Sequence, residues 1–509
     1  MRATRRAFCG LVLAWVMVAP AVAVFGQERA KGARIDVILW FDTEDYLLPA
    51  DDDAAKRLAE MLSQRGIRAT FKVVGEKARV LEKRGRTDVI AALRKHDIAY
   101  HSNFHSVHPT PTEYLADCGL LDGMAEFVRR EGPGAADVRR IFGVRSLSCY
   151  GQPGSSWASQ AIAALPTIGV KSSVEADGVA CYVDSGNHVG LGGKPFWFAN
   201  ALTVYNMRPN ETRFDLHVPQ ALEVGKKEVS EIAERLRGEG GGLISIFYHP
   251  CEWVHQEFWD GVNFKRGANP PRGQWKAPPQ RPAAETEGAF ERFGQYIDHI
   301  RAIPGVYFIT AHDLPTRYPD KVRSVGATRE DLDEIARRLT ADDSDGVNFV
   351  VIDGKAFSPA DQFALLVEAV GNPKVTFPLP IKGLLGPDAA PPTADDERVV
   401  DRDALAMALA DVRSFMKSEG RVPARVFIGA DPVAPADFMV GLARAWRGND
   451  VRLGKNVEVL TGRRIAKDTP GLFGGWVIHK EGFRAPKVLE VARLQAWTLK
   501  PAVVEGGAE

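Results

Sequence analysis

Ile35-Asp36-Val37-Ile38-Leu39-Trp40-Phe41-Asp42-Thr43-Glu44-Asp45 is a near-continuous apolar run that ends in three acids within four residues. A run that is apolar at both alternating sets of positions marks a strand covered on both faces, as in a parallel sheet. A solvated turn or a helix N-cap accounts readily for one acid there. Three at the end of a buried strand ask for more. A second polar cluster, His101-Ser102-Asn103-Phe104-His105, supplies two histidines four residues apart. That spacing brings both imidazoles to one side of a turn. Two neutral imidazoles and one carboxylate hold a divalent metal while leaving positions open for water and substrate. Read together, the clusters point to metal-dependent hydrolysis.

The segments around these clusters alternate between strand and helix. Residues 54–64 carry helical spacing at Leu58, Met61 and Leu62, and Gly66 stops the helix. Residues 69–74 read as a second strand, 89–93 as a helix, and Ile98 leads into the histidine cluster. Later strands are expected over 243–248 and 306–310. This alternation predicts a parallel sheet or a β/α barrel, in which sites gather where strands end. Asp42, His101 and His249 each follow such a run.

Residues 251–282 differ: they are rich in Trp, Pro, Arg and Gly and have no period. A loop of this length reads as a lid or substrate-binding loop, with a packing flap as the plain alternative. Beyond Pro315 a charged stretch carries a helix over 329–339, and a different domain follows. It contains an echo: Ser358-Pro359-Ala360-Asp361 and Ala434-Pro435-Ala436-Asp437 each open a helix. Pro is pre-set for a first turn and Asp complements the helix dipole. A smaller, mostly helical accessory domain is expected, built from two related units.

At 509 residues the chain holds roughly two or three domains. Its 65 basic and 65 acidic residues cancel, and no basic stripe with interleaved aromatics suggests nucleic acid. Arg2, Arg5 and Arg6, the apolar run over 7–18 and Ala21-Val22-Ala23 read as a signal peptide over 1–23. Thr4-Arg5-Arg6-Ala7-Phe8 also fits a twin-arginine signal. Export to the periplasm or the medium is expected, with no stable membrane span after cleavage. Cys118, Cys149, Cys181 and Cys251 remain, enough for two disulfides or for four buried thiols.

The motifs, in order, resemble the polysaccharide deacetylases of the NodB-homology group, carbohydrate esterase family 4. Phe41-Asp42-Thr43-Glu44-Asp45 is similar to their first motif, and Ala69-Thr70-Phe71-Lys72-Val73-Val74-Gly75 to their next strand. The stretch from His96 to His105 resembles their histidine motif. Residues 244–249 resemble the late strand that ends in histidine, and 306–310 the last strand. The resemblance spans about residues 35–315. It implies a distorted (β/α) barrel over 34–316, followed by an accessory domain over 317–509.

By the same resemblance Asp42 is the general base and His249 the general acid. His101 and His105 are ligands of one divalent metal of the zinc type, and the carboxylate ligand is Glu44 or Asp45. The implied activity is removal of acetyl groups from N- or O-acetylated glycans, with Trp157, Trp253 and Trp259 as candidates to stack on sugar faces. The alternatives are a degraded barrel that binds glycan and an amidohydrolase of a small non-sugar amide. One departure stands out. The family places an arginine, which orients the base, two residues before a proline in its third motif. Here Gly151-Gln152-Pro153 puts glycine there. Ala176-Asp177-Gly178 is the candidate for the fourth motif.

Overall fold

The computed structural model describes residues 33–503 apart from 176–181, 184–186, 189–194, 206–211, 343, 373 and 466–475. The signal segment, the fourth-motif candidate and Cys181 lie outside the described residues. Sheet strands are numbered here in chain order. Every residue of β1 (Ile35–Thr43) is buried, as its unbroken apolar run requires. On one edge it pairs in parallel with β8 (Gly242–Tyr248). On the other it pairs first with β9 (Val306–Ile309) and then, nearer its end, with β2 (Thr70–Val73).

From β2 the parallel sheet continues through β3 (Asp97–Tyr100), β4 (Leu147–Tyr150), β5 (Val170–Glu175) and β7 (Ala201–Tyr205). Two antiparallel strands, β6 (Phe196–Phe198) and β10 (Lys500–Pro501), finish the far edge. The result is a distorted (β/α) barrel that does not close. Helices supply the outer layer because each shows the sheet an apolar stripe. Leu58 and Leu62 of Pro49–Gln64 are buried, as are Phe290, Phe293, Ile297 and Ile300 of Ala283–Ala302. Each such side chain contributes about 1.5–3 kcal/mol on burial.

A second core lies in the region that follows. Its two echoed segments occupy equivalent places. Helix Arg329–Leu339, the hairpin Val350–Ile352/Lys355–Phe357 and helix Pro359–Gly371 come first. Helix Arg402–Glu419, the hairpin Val426–Ile428/Asp431–Val433 and helix Pro435–Trp446 repeat that order. The two Pro-Ala-Asp helices meet through Phe363 and Phe438, with ring centroids 6.4 Å apart.

The chain's tail departs from the simple division at residue 316. Val488, Leu489 and Ala492 of helix Pro486–Gln495 belong to the barrel's core, and β10 joins the barrel's own sheet. The reason is that β6 leaves an open edge and the helix has an apolar face to bury. The accessory region is therefore inserted before a returning segment. Cys118, Cys149 and Cys251 are free thiols, so none of the described cysteines forms a disulfide.

Lys500 pins this return. Its side chain is 1% exposed and its Nζ donates to Asp320 Oδ1 and Asp361 Oδ2, both at 2.9 Å. Removing one partner of a buried ion pair leaves the others uncompensated. Lys500→Met is expected to lower the unfolding free energy by about 3–5 kcal/mol in denaturant titration.

Candidate active site

Five neighbouring parallel strands, in the order β8-β1-β2-β3-β4, end at one edge of the sheet, and residues at or just past the ends of four of them converge. Asp42 and Glu44 close β1, His101 and His105 follow β3, Gly151 follows β4 and His249 follows β8. Donor atoms of Glu44, His101 and His105 lie within 4.8 Å of one another. Glu44 Oε2 is 3.6 Å from His101 Nε2 and 2.8 Å from His105 Nε2. Both Nε2 atoms are buried and, among the described residues, Glu44 is the group they meet. Two imidazole nitrogens and a carboxylate suit a divalent cation of the zinc type. His101 Nδ1 is held by the Gly151 carbonyl at 3.0 Å, which turns Nε2 toward the cluster.

The loop carrying the histidines is strained and clamped. Ser102 and His105 have φ of 63° and 57°, where non-glycine residues seldom sit. Such conformations persist where the surroundings enforce them, often at functional sites. Here Ser102 Oγ accepts from the His105 N–H at 3.1 Å. The Ser102 and Asn103 carbonyls accept from Gly75 and Glu76 N–H at the start of helix Gly75–Lys83. The Asn103 amide donates to the Arg130 carbonyl.

Asp42 and His249 both border the cluster: Asp42 Oδ1 is 3.4 Å from His101 Nδ1, and His249 Nε2 is 3.9 Å from Glu44 Oε2. Asp42 Oδ2 is 3.6 Å from His249 Nε2, and Asp42 Oδ1 is paired with Lys72 Nζ at 2.8 Å. Burial pushes the Asp42 carboxyl up, but His101, Lys72 and His249 outweigh it and leave it below its ordinary value. Glu44 is held well below its own for the same kind of reason, chiefly His105 and His249 working against burial. For His249, burial opposes charge, yet Glu44, Glu252 and Asp42 push its pKa up to about 9. His249 Nδ1 contacts Glu252 Oε1 at 2.6 Å, and Glu252 Oε2 accepts from Arg213 at 2.7 Å. His101 is pulled down by its burial, against Asp42 and Glu44, which favours the neutral ring a metal requires.

Of the two carboxylates left open by sequence, Glu44 faces the histidines and Asp45 does not. Asp45 Oδ2 lies 3.0 Å from His255 Nδ1, its Oδ1 accepts from Leu47 N–H, and its carbonyl accepts from buried Lys77. The three indoles expected to stack on sugars need correction. Trp157, Trp253 and Trp259 are 1%, 0% and 0% exposed, because each fills a core and offers no face to solvent. Trp253 packs among Phe41, Tyr248 and Phe293. The 251–282 stretch takes the packing-flap form around Trp259, Phe264 and Trp275.

The half-buried indole at the site is Trp476, from the returning tail. It meets the His105 ring edge-on at 5.3 Å between centroids, and its Nε1 donates to Asp260 Oδ2 at 2.7 Å. Sequence reasoning missed it, as it missed Lys72, Glu252, Arg213 and Asp260. Glu252 carried a local signal, lying three residues after His249. A cavity of about 340 Å³ lies next to Glu252 and Phe258, but Asp42, Glu44, His101 and His105 do not line it.

The chain is similar to solved carbohydrate esterase family 4 structures. One is a family 4 carbohydrate esterase from Streptomyces lividans in complex with acetate, 13% identical, covering 54% of this chain and 91% of that one, TM-score 0.26. The Bc1960 peptidoglycan N-acetylglucosamine deacetylase is 14% identical over 55% of this chain and 86% of that one, TM-score 0.25. Puue allantoinase is 12% identical over 56% and 92%, TM-score 0.35. No family model matches the sequence, and no curated protein matches it.

The geometry separates the two acids experimentally. Purified protein is expected to carry about one zinc-type ion per chain by elemental analysis. His101→Ala, His105→Ala and Glu44→Gln should each lose it, whereas Asp45→Asn should retain it. Equal loss from Asp45→Asn would place the carboxylate ligand wrongly.

Proposed function

We propose that this chain is an exported, metal-dependent deacetylase acting on acetylated glycans. The observation that carries the reading is the meeting of Asp42 and His249, 3.6 Å apart, beside the Glu44–His101–His105 cluster. Glu44, His101 and His105 would hold the ion. A bound divalent cation makes water nucleophilic near neutral pH and polarises an acyl oxygen.

The side chains supply the proton transfers. Asp42, ionised and buried, accepts the proton of the attacking water at Oδ2, the oxygen that faces His249. His249 turns Nε2 toward the site, 3.6 Å from Asp42 Oδ2 and 3.9 Å from Glu44 Oε2. Its Nδ1 is engaged by Glu252, so Nε2 is the nitrogen that donates to the departing amine or alcohol. Arg213 fixes Glu252 in turn. Low exposure of Asp42 and Glu44, 4% and 3%, keeps bulk water from screening these charges. Trp476, half-buried and against His105, replaces the buried indoles as the candidate to meet a sugar ring.

Acetate release from acetylated chitooligosaccharides, acetylated xylan and peptidoglycan is the direct assay. Asp42→Asn and His249→Gln are each expected to reduce kcat by about 10²–10⁴-fold while metal content is retained. A metal-loaded wild-type protein that binds these glycans but hydrolyses none would favour the glycan-binding reading instead.

A further inference from the structure

We infer that Lys72 is the positioning residue of the general base, reaching it through room left by Gly151; this rests on the reading of Asp42 as base. Lys72 and Asp42 are register partners on the adjacent parallel strands β2 and β1. Their side chains therefore emerge side by side on the same face. Lys72 Nζ is 2.8 Å from Asp42 Oδ1, and the two side chains are 1% and 5% exposed.

The ammonium is fixed from three directions. It donates to the Val174 carbonyl at 3.0 Å, pairs with Asp42, and lies 3.7 Å from the centroid of the Trp40 ring. Trp40 precedes Asp42 by two residues on β1, so the strand's alternation places it on the same face. A lysine is a flexible point charge that ordinarily keeps its head in water. Here carbonyl, carboxylate and aromatic face replace that water, and the charge is localised at Asp42 Oδ1. The other oxygen, Oδ2, is left facing His249 Nε2. The pair thus selects which oxygen of Asp42 takes up a proton.

Gly151 makes the arrangement possible. A Cβ there would fall 2.1 Å from Lys72 Nζ and 2.9 Å from both Cδ and Cε. Gly151 does not lie in the left-handed region, so its backbone conformation does not call for glycine. What the position requires is the absence of a side chain. At this end of the sheet the cation comes from β2 and not from the loop after β4. Cation and glycine are two halves of one device.

Three variants test it. Lys72→Met is expected to lower kcat for acetate release by about 10–100-fold, with KM changed less than about two-fold and metal content unchanged. Gly151→Ala keeps the charge but displaces it, and should give a similar loss. The double variant should be no worse than either single one, because both act through the same contact. Unchanged kcat in Lys72→Met, or additive losses in the double variant, would overturn the inference. Urea unfolding keeps it separate from the activity proposal. Lys72→Met should lower the midpoint, and Lys72→Met/Asp42→Asn should regain part of that loss. No regain overturns the pairing even if wild-type protein releases no acetate, whereas regain without any wild-type activity counts against the deacetylase reading alone.

Discussion

The parallel pairing of β1 on both edges is the constraint on which the site depends. β8 fixes one edge and β9 with β2 fix the other, so the strand cannot slip without turning its buried side chains the wrong way. Asp42 and Glu44 sit two residues apart at its end and inherit that rigidity. Because β2, β3 and β4 follow in order beside β1, their ends bring Lys72, His101 and Gly151 to the same rim. The histidine loop adds the one strained element, and the N-terminus of helix Gly75–Lys83 holds it through two backbone hydrogen bonds. Precision in the strands lets the loop be strained without being loose.

Charge burial sets the second layer of organisation. Two carboxylates and three histidines share a space where none of Asp42, Glu44, His101 and His105 exceeds 4% exposure. Isolated charges cannot survive there, since each loses several kcal/mol of hydration. The carboxylates are kept ionised by their neighbours in spite of burial, and His249 is kept cationic by three carboxylates. Lys72 answers one negative charge directly. The buried Nε2 atoms of His101 and His105 converge on the Glu44 carboxylate, an arrangement that suits a divalent cation.

The residues that gather at the rim were legible because their signals are local. An apolar run ending in acids, two histidines four apart and a histidine after a late strand each declare themselves within a few positions. Lys72 was legible in part: a lysine inside the four-residue strand Thr-Phe-Lys-Val is an uncompensated charge in a buried element. Its partner follows only from register, which a single strand does not contain. Tryptophan misled for the opposite reason. Its size suits both a core and a sugar platform, and residue type alone does not say which side of the surface an indole takes. The tail was harder still, since β10 is two residues long and its helix is unremarkable in composition.

That tail changes how the two halves of the chain relate. Helix Pro486–Gln495 packs in the barrel's core, and Lys500 binds Asp320 and Asp361 on the accessory side. Between the accessory core and this helix the chain passes Trp476, which touches His105. The accessory region therefore sits within a loop whose two ends are both anchored in the barrel, one of them beside the Glu44–His101–His105 cluster. Trp476 also donates to Asp260 Oδ2, so displacement of the indole would leave that buried carboxylate with the Gly261 N–H on Oδ1 and no indole donor on Oδ2. The cost of that loss favours a tail that stays seated, and makes the far half of the chain part of the site's rigidity.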